Sequence, residues 1–326
     1  MMNFANYPQL KVFYEGEDVL VLFFHDGVNT IRDLAEEGLL ERSLCYFTFS
    51  WFVSKKTVES IAGKVAAARS ICGDEAISKH LRFLLNSPEE YDNAVRLLPE
   101  ECCVLFSNAA LLNERQFPLL DVEKTHDAVY NARANSFKRH ELTAMVEDKI
   151  FVCYDWKEQD LNLEQFEPKE IFRNLKGNKV AKVIQMARVG LMLSEREGAC
   201  YASLEYLLCG MPVVSTPSHG GRDAYYDETT AIVCDPTPEA VARAVEEAVG
   251  KCQDGTFSRD RIRETTLARM DGFRRGLSDS IDASLIALGQ APLPDGMFQE
   301  RLSQTNKLWK FRNMRTSSLA ELAAAG

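Results

Sequence analysis

The sequence predicts an α/β protein built on doubly wound, largely parallel sheets. Short apolar runs of strand length, such as VGLMLS at 189–194, alternate with segments of helical periodicity. These strands are almost continuously hydrophobic, as strands covered on both faces are. A chain of 326 residues is longer than a single core usually supports, so two domains are expected.

The second half of the chain has the clearest pattern. Strands are predicted at 125–133, in KIFVCYD, at 189–194, in PVVST and in ETTAIVCDP. Helices are predicted in KRHELTAMVED, GNKVAKVIQMAR, YASLEYLLCG and EAVARAVEEAV. Gly210 ends the third of these helices, and Thr237 with Pro238 begins the fourth. The alternation predicts a domain over residues 123–290.

Residues 1–122 are less regular but contain the same kinds of element. Strands are indicated by DVLVLFFH, RSLCYFTFS, HLRFLLN and CCVLFSN, and helices by KKTVESIAGKVAAARSIC and SPEEYDNAVRLL. A second, smaller α/β domain is therefore expected. FQERLSQTNKLWKFRNMR predicts a mildly basic helix within a C-terminal tail, 291–326, that could pack back on the N-terminal domain.

Composition disfavours several classes of partner. The formal net charge is −10 and no block of Lys and Arg forms a basic stripe, so nucleic acid is not an expected ligand. VLVLFF is far shorter than a membrane span, and the opening MMNFANYPQL lacks a cationic region followed by an apolar one. A cytoplasmic protein with at most peripheral membrane association is expected, and the nine cysteines, without a CxxC pair, indicate reduced thiols.

Acidic and small residues follow the predicted strand that ends at Ser194. Glu197, Gly198, Ala199 and Cys200 open a helix whose first backbone N–H groups are free to bind a ligand. Glu205 lies about one and a half turns into that helix. Both carboxylates can therefore accept hydrogen bonds from the hydroxyls of one polar ligand.

Two further loops follow neighbouring strands and should share a crevice with the first, because ligands bind beyond the carboxyl ends of such strands. Arg133 and Lys138 precede a predicted helix, and this arrangement predicts a pyrophosphate site. The PSHGG loop contains Ser218, Gly220 and Gly221, where the backbone could approach a ligand closely. Each feature alone is typical of a solvated surface or an ordinary turn, whereas the three together favour a single site.

The stretch from Val189 to Thr216, with GGRDAYYDETTAIVCDP after it, resembles the nucleotide-sugar-binding half of the group 1 glycosyltransferases. These are retaining enzymes of the GT-B fold. The resemblance covers about 125–250 and consists of an E-x7-E motif, a CG-x-PVV turn, a GG loop and an Arg and Lys pair. It implies two Rossmann-like domains, the N-terminal one shortened, with a cleft between them.

The resemblance also implies roles for individual residues. Glu197 would contact the transferred sugar, while Arg133 and Lys138 would neutralise the leaving diphosphate. His25 would be the histidine that family members place near the sugar from the N-terminal half, and Glu205 would bind the ribose. The other donor-binding positions would be Gly198, Ala199, Cys200, Ser218, Gly220 and Gly221. Cys200 replaces a glycine of the family's usual EGFG turn, and its side chain could reshape the sugar pocket.

The expected activity is retaining transfer of a hexosyl or related group from a nucleoside-diphosphate sugar to a hydroxyl acceptor. The acceptor would be a glycan, a lipid-linked sugar or a small metabolite, and polysaccharide biosynthesis is the expectation from the family. No cofactor and no metal are expected, because the chain has no Asp-x-Asp and its five histidines lack ligand spacing.

Two other kinds of function remain open. A nucleotide-sugar epimerase or hydrolase would use the same architecture. A non-catalytic relative that binds a nucleotide sugar or a partner subunit is suggested by the short N-terminal half and the EGAC turn. A dehydrogenase is disfavoured, because no G-x-G-x-x-G follows VLVLFF or DAVYNA.

Overall fold

The computed structural model describes residues 10–155, 157 and 159–304, which divide into two compact units. The first unit contains the described residues up to Asn113 and those from Gly272 onward. The second unit is Glu114–Asp271. Each unit has a sheet that is wholly or largely parallel, which confirms the predicted α/β class.

The first unit has a five-stranded sheet in the order β1-β2-β3-β4-β5. The strands are β1 Leu10–Glu15, β2 Leu20–His25, β3 Ser43–Thr48, β4 Leu81–Leu85 and β5 Cys103–Leu105. β2 to β5 are parallel, whereas β1 pairs with β2 in an antiparallel hairpin that the sequence did not predict. His25, at the end of β2, pairs with Thr48 of β3, so both residues lie at the carboxyl edge of this sheet.

The helices of the first unit begin where the sequence provides caps. Ser54 and Ser87 accept hydrogen bonds from the backbone N–H groups of Thr57 and Glu90. The helices are α1 Ile31–Glu36, α2 Lys55–His80, α3 Pro88–Ala94, the second part of α7 Arg259–Ala287, and α8 Met297–Gln304. α2 is interrupted at Gly73, whose φ of 84° is not helical.

The two faces of the first sheet pack against different helices. Buried residues of α1 and α2 join one apolar cluster, and Leu277, Ile281, Phe298 and Leu302 of α7 and α8 join the other. This packing assigns the chain from Gly272 onward to the first unit, whereas the sequence suggested a domain over 123–290. The part of the predicted tail helix beyond Gln304 lies outside the described residues.

The second unit has a six-stranded parallel sheet in the order β11-β10-β9-β6-β7-β8. The strands are β6 His126–Asn131, β7 Lys149–Cys153, β8 Glu170–Arg173, β9 Ala187–Met192, β10 Val213–Ser215 and β11 Ala231–Val233. The helices are α4 Asn178–Ile184, α5 Tyr201–Leu208, α6 Pro238–Gln253 and the first part of α7. The strand order reverses between β6 and β9, and such a switch point is where open α/β sheets bind ligands.

The segment KRHELTAMVED was predicted to be a helix, and this prediction is wrong. Two 3-10 turns, Ser136–Lys138 and His140–Thr143, lie there instead, separated by Arg139 in the left-handed conformation with a φ of 54°. The left-handed residue turns the buried ring of His140 into a pocket of aromatic rings. The centroid of the His140 ring is 4.7 Å from that of Tyr130, 5.3 Å from that of Phe151 and 5.9 Å from that of Phe166.

Helix α5 is held against β6 and β9 by Tyr206. A Cβ atom at Gly190 of β9 would overlap the Tyr206 ring, so the glycine permits this close approach. The Tyr206 hydroxyl accepts a hydrogen bond from the backbone N–H of Asn131 at 2.5 Å. Gly210, with a φ of 67°, follows the helix and allows the chain to reverse, as predicted. These contacts bring α5 and its Glu205 to the end of β6.

No helix among the described residues combines the length and the apolar character that crossing a membrane would require.

Candidate functional site

Backbone hydrogen bonds join the loop after β9 to the loop after β10, beside the switch point. The backbone N–H of Glu197 donates to the His219 carbonyl at 3.0 Å, and that of His219 donates to the Glu195 carbonyl at 2.9 Å. The N–H of Gly221 donates to the Gly198 carbonyl at 3.0 Å. Gly220 has a φ of 100°, which an L-residue rarely adopts. The acidic loop and the glycine loop are therefore brought together, as predicted.

A buried ion pair joins this structure to the loop after β6. The ammonium group of Lys138 contacts the Glu197 carboxylate, and both residues are buried, with 9% and 5% of their surfaces exposed. The Ser194 hydroxyl donates to the same carboxylate oxygen at 2.5 Å. Removing one member would leave the other charge buried without a partner, which is strongly destabilising. The carboxylate that was predicted to contact the sugar and the lysine that was predicted to contact the diphosphate are therefore in direct contact.

The position of Lys138 is set by its own backbone and by aromatic neighbours. The buried Tyr130 hydroxyl donates to the Lys138 carbonyl at 2.5 Å. The ammonium group also lies 5.1 Å from the centroid of the Phe137 ring, within the range of a cation–π interaction. Lys138 is consequently a fixed cation rather than a mobile surface lysine.

Arg133 lies in the same loop, two residues after β6, and is half-buried. Its carbonyl accepts a hydrogen bond from the backbone N–H of Asn135 at 2.9 Å. The predicted helix that was to begin after it is absent, so the predicted cooperation with a helix N-terminus is wrong. Any anion bound here would be held by side chains and by the backbone of the 3-10 turns.

Glu205 is anchored at the end of β6. The side-chain amide of Asn131 donates to the Glu205 carboxylate at 3.0 Å, and both residues are buried. Tyr154 follows β7, and partial burial of its hydroxyl, followed by the charge of Glu205, raises the pKa of that hydroxyl. The two acids of the E-x7-E motif thus lie beside the same strand, one paired with Lys138 and one bonded to Asn131.

Two arginines that the sequence did not single out hold the carboxyl ends of β9 and β10. The fully buried guanidinium of Arg222 donates to the carbonyls of Met192 at 3.2 Å, Ser194 at 2.7 Å and Thr216. Arg139 donates to the Leu193 carbonyl at 2.5 Å and to the Thr216 hydroxyl at 2.8 Å. These cations fix the loops that contain Glu197 and the glycine pair. Arg222 directly follows the PSHGG loop and Arg139 lies within KRHELTAMVED, but nothing in the sequence distinguishes a buried arginine from an exposed one.

The EGAC turn places Cys200 directly before α5. Cys200 is half-buried and has a φ of 50°, the left-handed conformation that glycine adopts without strain. Burial, and then the charge of Glu197, raises the pKa of its thiol to about 12. The thiol therefore stays protonated near neutral pH and is a poor nucleophile. Gly198 and Ala199 are buried beside it, and Ser218 is half-buried in the glycine loop.

His25, the remaining predicted site residue, belongs to the first unit. Its Nδ1 is 2.9 Å from the Thr48 hydroxyl and its Nε2 is 2.7 Å from the Ser50 hydroxyl. Burial lowers the pKa of the imidazole, an effect that the charge of Asp26 opposes. His25 is therefore neutral near neutral pH and forms part of a separate polar cluster at the carboxyl edge of the first sheet.

Among the residues that the structure describes, no group of three His, Cys, Asp or Glu side chains is arranged to hold a metal ion.

Comparison with known families finds a match within the second unit. The sequence model of the family described as "Glycosyl transferases group 1" matches residues 157–263. This range contains Glu197, Glu205 and the glycine pair, which confirms the resemblance for these motifs, whereas Arg133 and Lys138 lie before the matched residues. None of the curated proteins compared with the chain matches it.

Solved structures show the fold. Anabaena Alr3699/HepE, solved in complex with UDP, is similar at a TM-score of 0.62 and 12% identity, with 80% of this chain and 78% of that chain covered. A mutant of S. aureus TarM, in complex with Fondaparinux, alpha-GlcNAc-glycerol and UDP, is similar at a TM-score of 0.58 and 12% identity. The match covers 79% of this chain and 55% of that chain. The alpha,alpha-trehalose 6-phosphate synthase of Burkholderia multivorans is similar at a TM-score of 0.52 and 12% identity. The match covers 82% of this chain and 71% of that chain.

These proteins share the GT-B fold, with two parallel-sheet domains as in this chain. Residues 157–263 therefore match the group 1 glycosyltransferase family, and the chain has the GT-B fold.

Proposed function

We propose that the protein transfers a sugar from a nucleoside-diphosphate sugar to a hydroxyl acceptor, with retention of anomeric configuration and without a metal ion. The buried contact between Lys138 and Glu197 at the switch point is the observation that carries this proposal. It places a fixed cation and a fixed carboxylate within one polar site, as a ligand with both phosphates and hydroxyls requires.

The donor is proposed to bind in the second unit. The diphosphate is neutralised by Lys138 and Arg133, and the transferred sugar donates hydroxyl hydrogen bonds to Glu197. Glu205, held by Asn131 at 3.0 Å, accepts from the ribose. HepE, similar in fold, was solved in complex with UDP, and a related structure contains UDP and glucose, which supports a nucleotide-sugar donor.

Lys138 has three N–H donors and can contact Glu197 and a phosphate oxygen together. As the bond between sugar and phosphate breaks, negative charge grows on the diphosphate, and a cation already in place stabilises it without reorganisation. The Glu197 carboxylate favours the positive charge that develops on the sugar ring. Charge of both signs is therefore stabilised by one ion pair.

Retention is proposed to follow from attack on the face that the diphosphate leaves, with a phosphate oxygen taking the proton of the acceptor hydroxyl. No protein nucleophile is then required, and the protonated Cys200 thiol is consistent with this. Metal independence is supported by the fixed cation Lys138, which supplies charge that a metal ion otherwise supplies. Glycan, lipid-linked sugar and small metabolite all remain candidate acceptors, and a cytoplasmic role in polysaccharide assembly is what the family resemblance implies.

The test is a transfer assay with radiolabelled nucleotide sugars of uracil, guanine, adenine and thymine, with and without EDTA. We expect transfer with one donor class, an α-anomeric product from an α-linked donor by NMR, and no effect of EDTA. Glu197→Gln and Arg133→Ala should each lower the rate by about a hundredfold or more. Glu246→Gln, an exposed acid on α6, is the matched control and should not change it.

Rates of both variants within a few-fold of wild type would overturn the site assignment. The alternatives give different products: an epimerase converts the donor without an acceptor, and a hydrolase releases free sugar. A non-catalytic relative binds the nucleotide and yields neither.

A further inference from the structure

The loop that carries Arg133 and Lys138 is held by an acid that the sequence did not single out. Asp160 lies in the connection between β7 and β8, and its side chain is exposed. One carboxylate oxygen accepts a hydrogen bond from the backbone N–H of Ser136 and the other accepts from the Ser136 hydroxyl, each at 2.8 Å. Asp160 therefore bonds to the loop from a position 24 residues further along the chain.

Backbone contacts hold the same stretch of the loop. The N–H groups of Asp160 and Leu161 both donate to the Ala134 carbonyl, at 3.2 Å and 3.3 Å. The side-chain amide of Asn135 lies 3.5 Å from the Asp160 carboxylate. Three consecutive residues between the two predicted cations are thus in contact with one short stretch of the β7–β8 connection.

The Asp160 carboxylate caps the 3-10 turn that ends at Lys138. The first N–H groups of a helical turn have no partner within it, and a carboxylate stabilises them. Here the first N–H, that of Ser136, is bonded by Asp160 rather than by the preceding Asn135. The hydrogen bond from the Ser136 hydroxyl lowers the pKa of Asp160, so the carboxylate is ionised near neutral pH. A charged acceptor strengthens such a contact.

The connection that carries Asp160 is itself anchored in the second unit. The side chain of Leu163 is buried, with 1% exposed. The ring of Phe166 stacks on that of His140, with centroids 5.9 Å apart. The connection therefore contacts the loop of the cations at two points, through Asp160 at Ser136 and through Phe166 at His140. This arrangement favours a fixed carboxylate over a mobile one.

The charge of Asp160 argues against a direct role in binding the donor. A carboxylate beside a diphosphate would weaken its binding by repulsion. Its hydrogen bonds are instead those of a group that fixes the backbone between Arg133 and Lys138. The separation of the two cations depends on that backbone, and cations placed in advance bind a phosphate without a further loss of conformational entropy.

We propose that Asp160 is a positioning residue, which fixes the loop between Arg133 and Lys138 and so sets the place of both cations for the donor diphosphate. The fixing of the loop is independent of the proposed function, whereas its consequence for the diphosphate rests on that function.

The first test is amide hydrogen exchange of the full chain without nucleotide. In Asp160→Ala the Ser136 N–H loses its acceptor, so exchange of the peptide that contains residues 134–138 should rise about tenfold or more, the effect of losing a hydrogen bond to a charged group. Asp160→Asn retains an acceptor for that N–H and a donor for the hydroxyl, and should keep exchange slow. Glu164→Ala is the matched control, because this exposed acid of the same connection bonds to Arg173 at 3.1 Å, and exchange in 134–138 should not change.

The second test is calorimetric titration of the same variants with UDP, GDP, ADP and TDP, and with the nucleoside of whichever base binds. Asp160→Ala should weaken the diphosphate by about threefold to tenfold and leave the affinity for the nucleoside unchanged, because a nucleoside has no phosphate for the cations to contact. Asp160→Asn should bind the diphosphate as tightly as wild type or more tightly, since it removes a negative charge.

Three results would overturn the proposal: unchanged exchange in Asp160→Ala, a diphosphate affinity of that variant equal to wild type, or an equal loss for diphosphate and nucleoside. An asparagine variant as impaired as the alanine variant would also overturn it, because charge rather than positioning would then be responsible. If exchange rises as expected but wild type binds no nucleotide, the contact that fixes the loop stands and the donor assignment fails.

Discussion

Lys138 and Glu197 form a buried ion pair although 59 positions separate them in the chain. One follows β6 and the other follows β9, the two strands between which the sheet order reverses. The switch point thus does more than open a crevice, because it brings two buried opposite charges into contact. Such a pair is electrostatically strong and depends on both members.

Loss of one member of this pair should be costly to stability. Lys138→Ala is expected to lower the free energy of unfolding by about 3–5 kcal/mol, because the Glu197 carboxylate remains buried without a cation. The double variant Lys138→Met with Glu197→Leu should recover much of that loss while remaining inactive. Urea denaturation measures both. Lys79→Ala, which breaks an exposed helical pair with Glu75, should change stability by less than about 1 kcal/mol. Additive effects of Lys138→Met and Glu197→Leu, each also made singly, would show that the pair is not coupled.

Arg222 should be irreplaceable even by lysine. Its planar guanidinium reaches carbonyls at the ends of both β9 and β10, which a single ammonium group cannot span. Arg222→Lys is expected to lower the free energy of unfolding by about 3 kcal/mol, since buried carbonyls lose their donors. Nucleotide binding should weaken as well. Thermal unfolding and calorimetry check this against Arg243→Lys on the exposed face of α6, and equal stability of the two variants would contradict it.

The conformation of Cys200 predicts an order of stability among small residues. Its φ of 50° is strained for any residue with a Cβ atom. Cys200→Gly should therefore be more stable than Cys200→Ala by about 1 kcal/mol, although glycine is usually the less stable of the two. Chemical denaturation of the pair provides the comparison. An alanine variant as stable as the glycine variant would mean that this turn is not strained.

His140 should make stability depend on pH. Burial, followed by the charge of Lys138, lowers its pKa to about 4 from an ordinary value of 6.5. The unfolded chain then binds a proton more readily than the folded protein, so stability falls as the pH drops from about 6.5 to about 4. The loss attributable to this residue is roughly 3 kcal/mol.

The comparison with His140→Phe isolates this effect, because neither ring nitrogen has a hydrogen-bond partner among the described residues and the pocket is aromatic. Above pH 7 the variant should be as stable as wild type or more so. Between pH 6.5 and pH 4 the difference should grow in favour of phenylalanine. Parallel stability curves across this range would rule out a buried neutral imidazole.

The sequence predicted those parts of the site that follow from a short stretch of chain, such as a strand, a turn and the helix after it. A strand followed by EGAC and a helix places Glu197 and Glu205, and the strand before Arg133 places the cations. The pairing of Lys138 with Glu197 was not predicted, because no local pattern reports which side chains meet across a sheet. For the same reason Arg222 and Arg139 were missed, since a buried arginine and an exposed one have the same sequence.

The helix that was predicted after Ser136 is absent for a physical reason. Its composition is compatible with a helix, but the burial of His140 among three aromatic rings and the left-handed Arg139 determine the backbone. No glycine marks that left-handed position. Tertiary packing overrode local propensity at the loop that carries Lys138, and such conflicts are expected at functional sites.

Calorimetric titration of the wild type and of Arg133→Ala with UDP, GDP, ADP and TDP, with and without EDTA, is the experiment to do first. We predict that one nucleotide binds the wild type, that EDTA does not change its affinity, and that Arg133→Ala weakens it by about tenfold or more. Absence of binding by all four nucleotides, or equal affinity of the variant, would contradict a diphosphate site at the switch point.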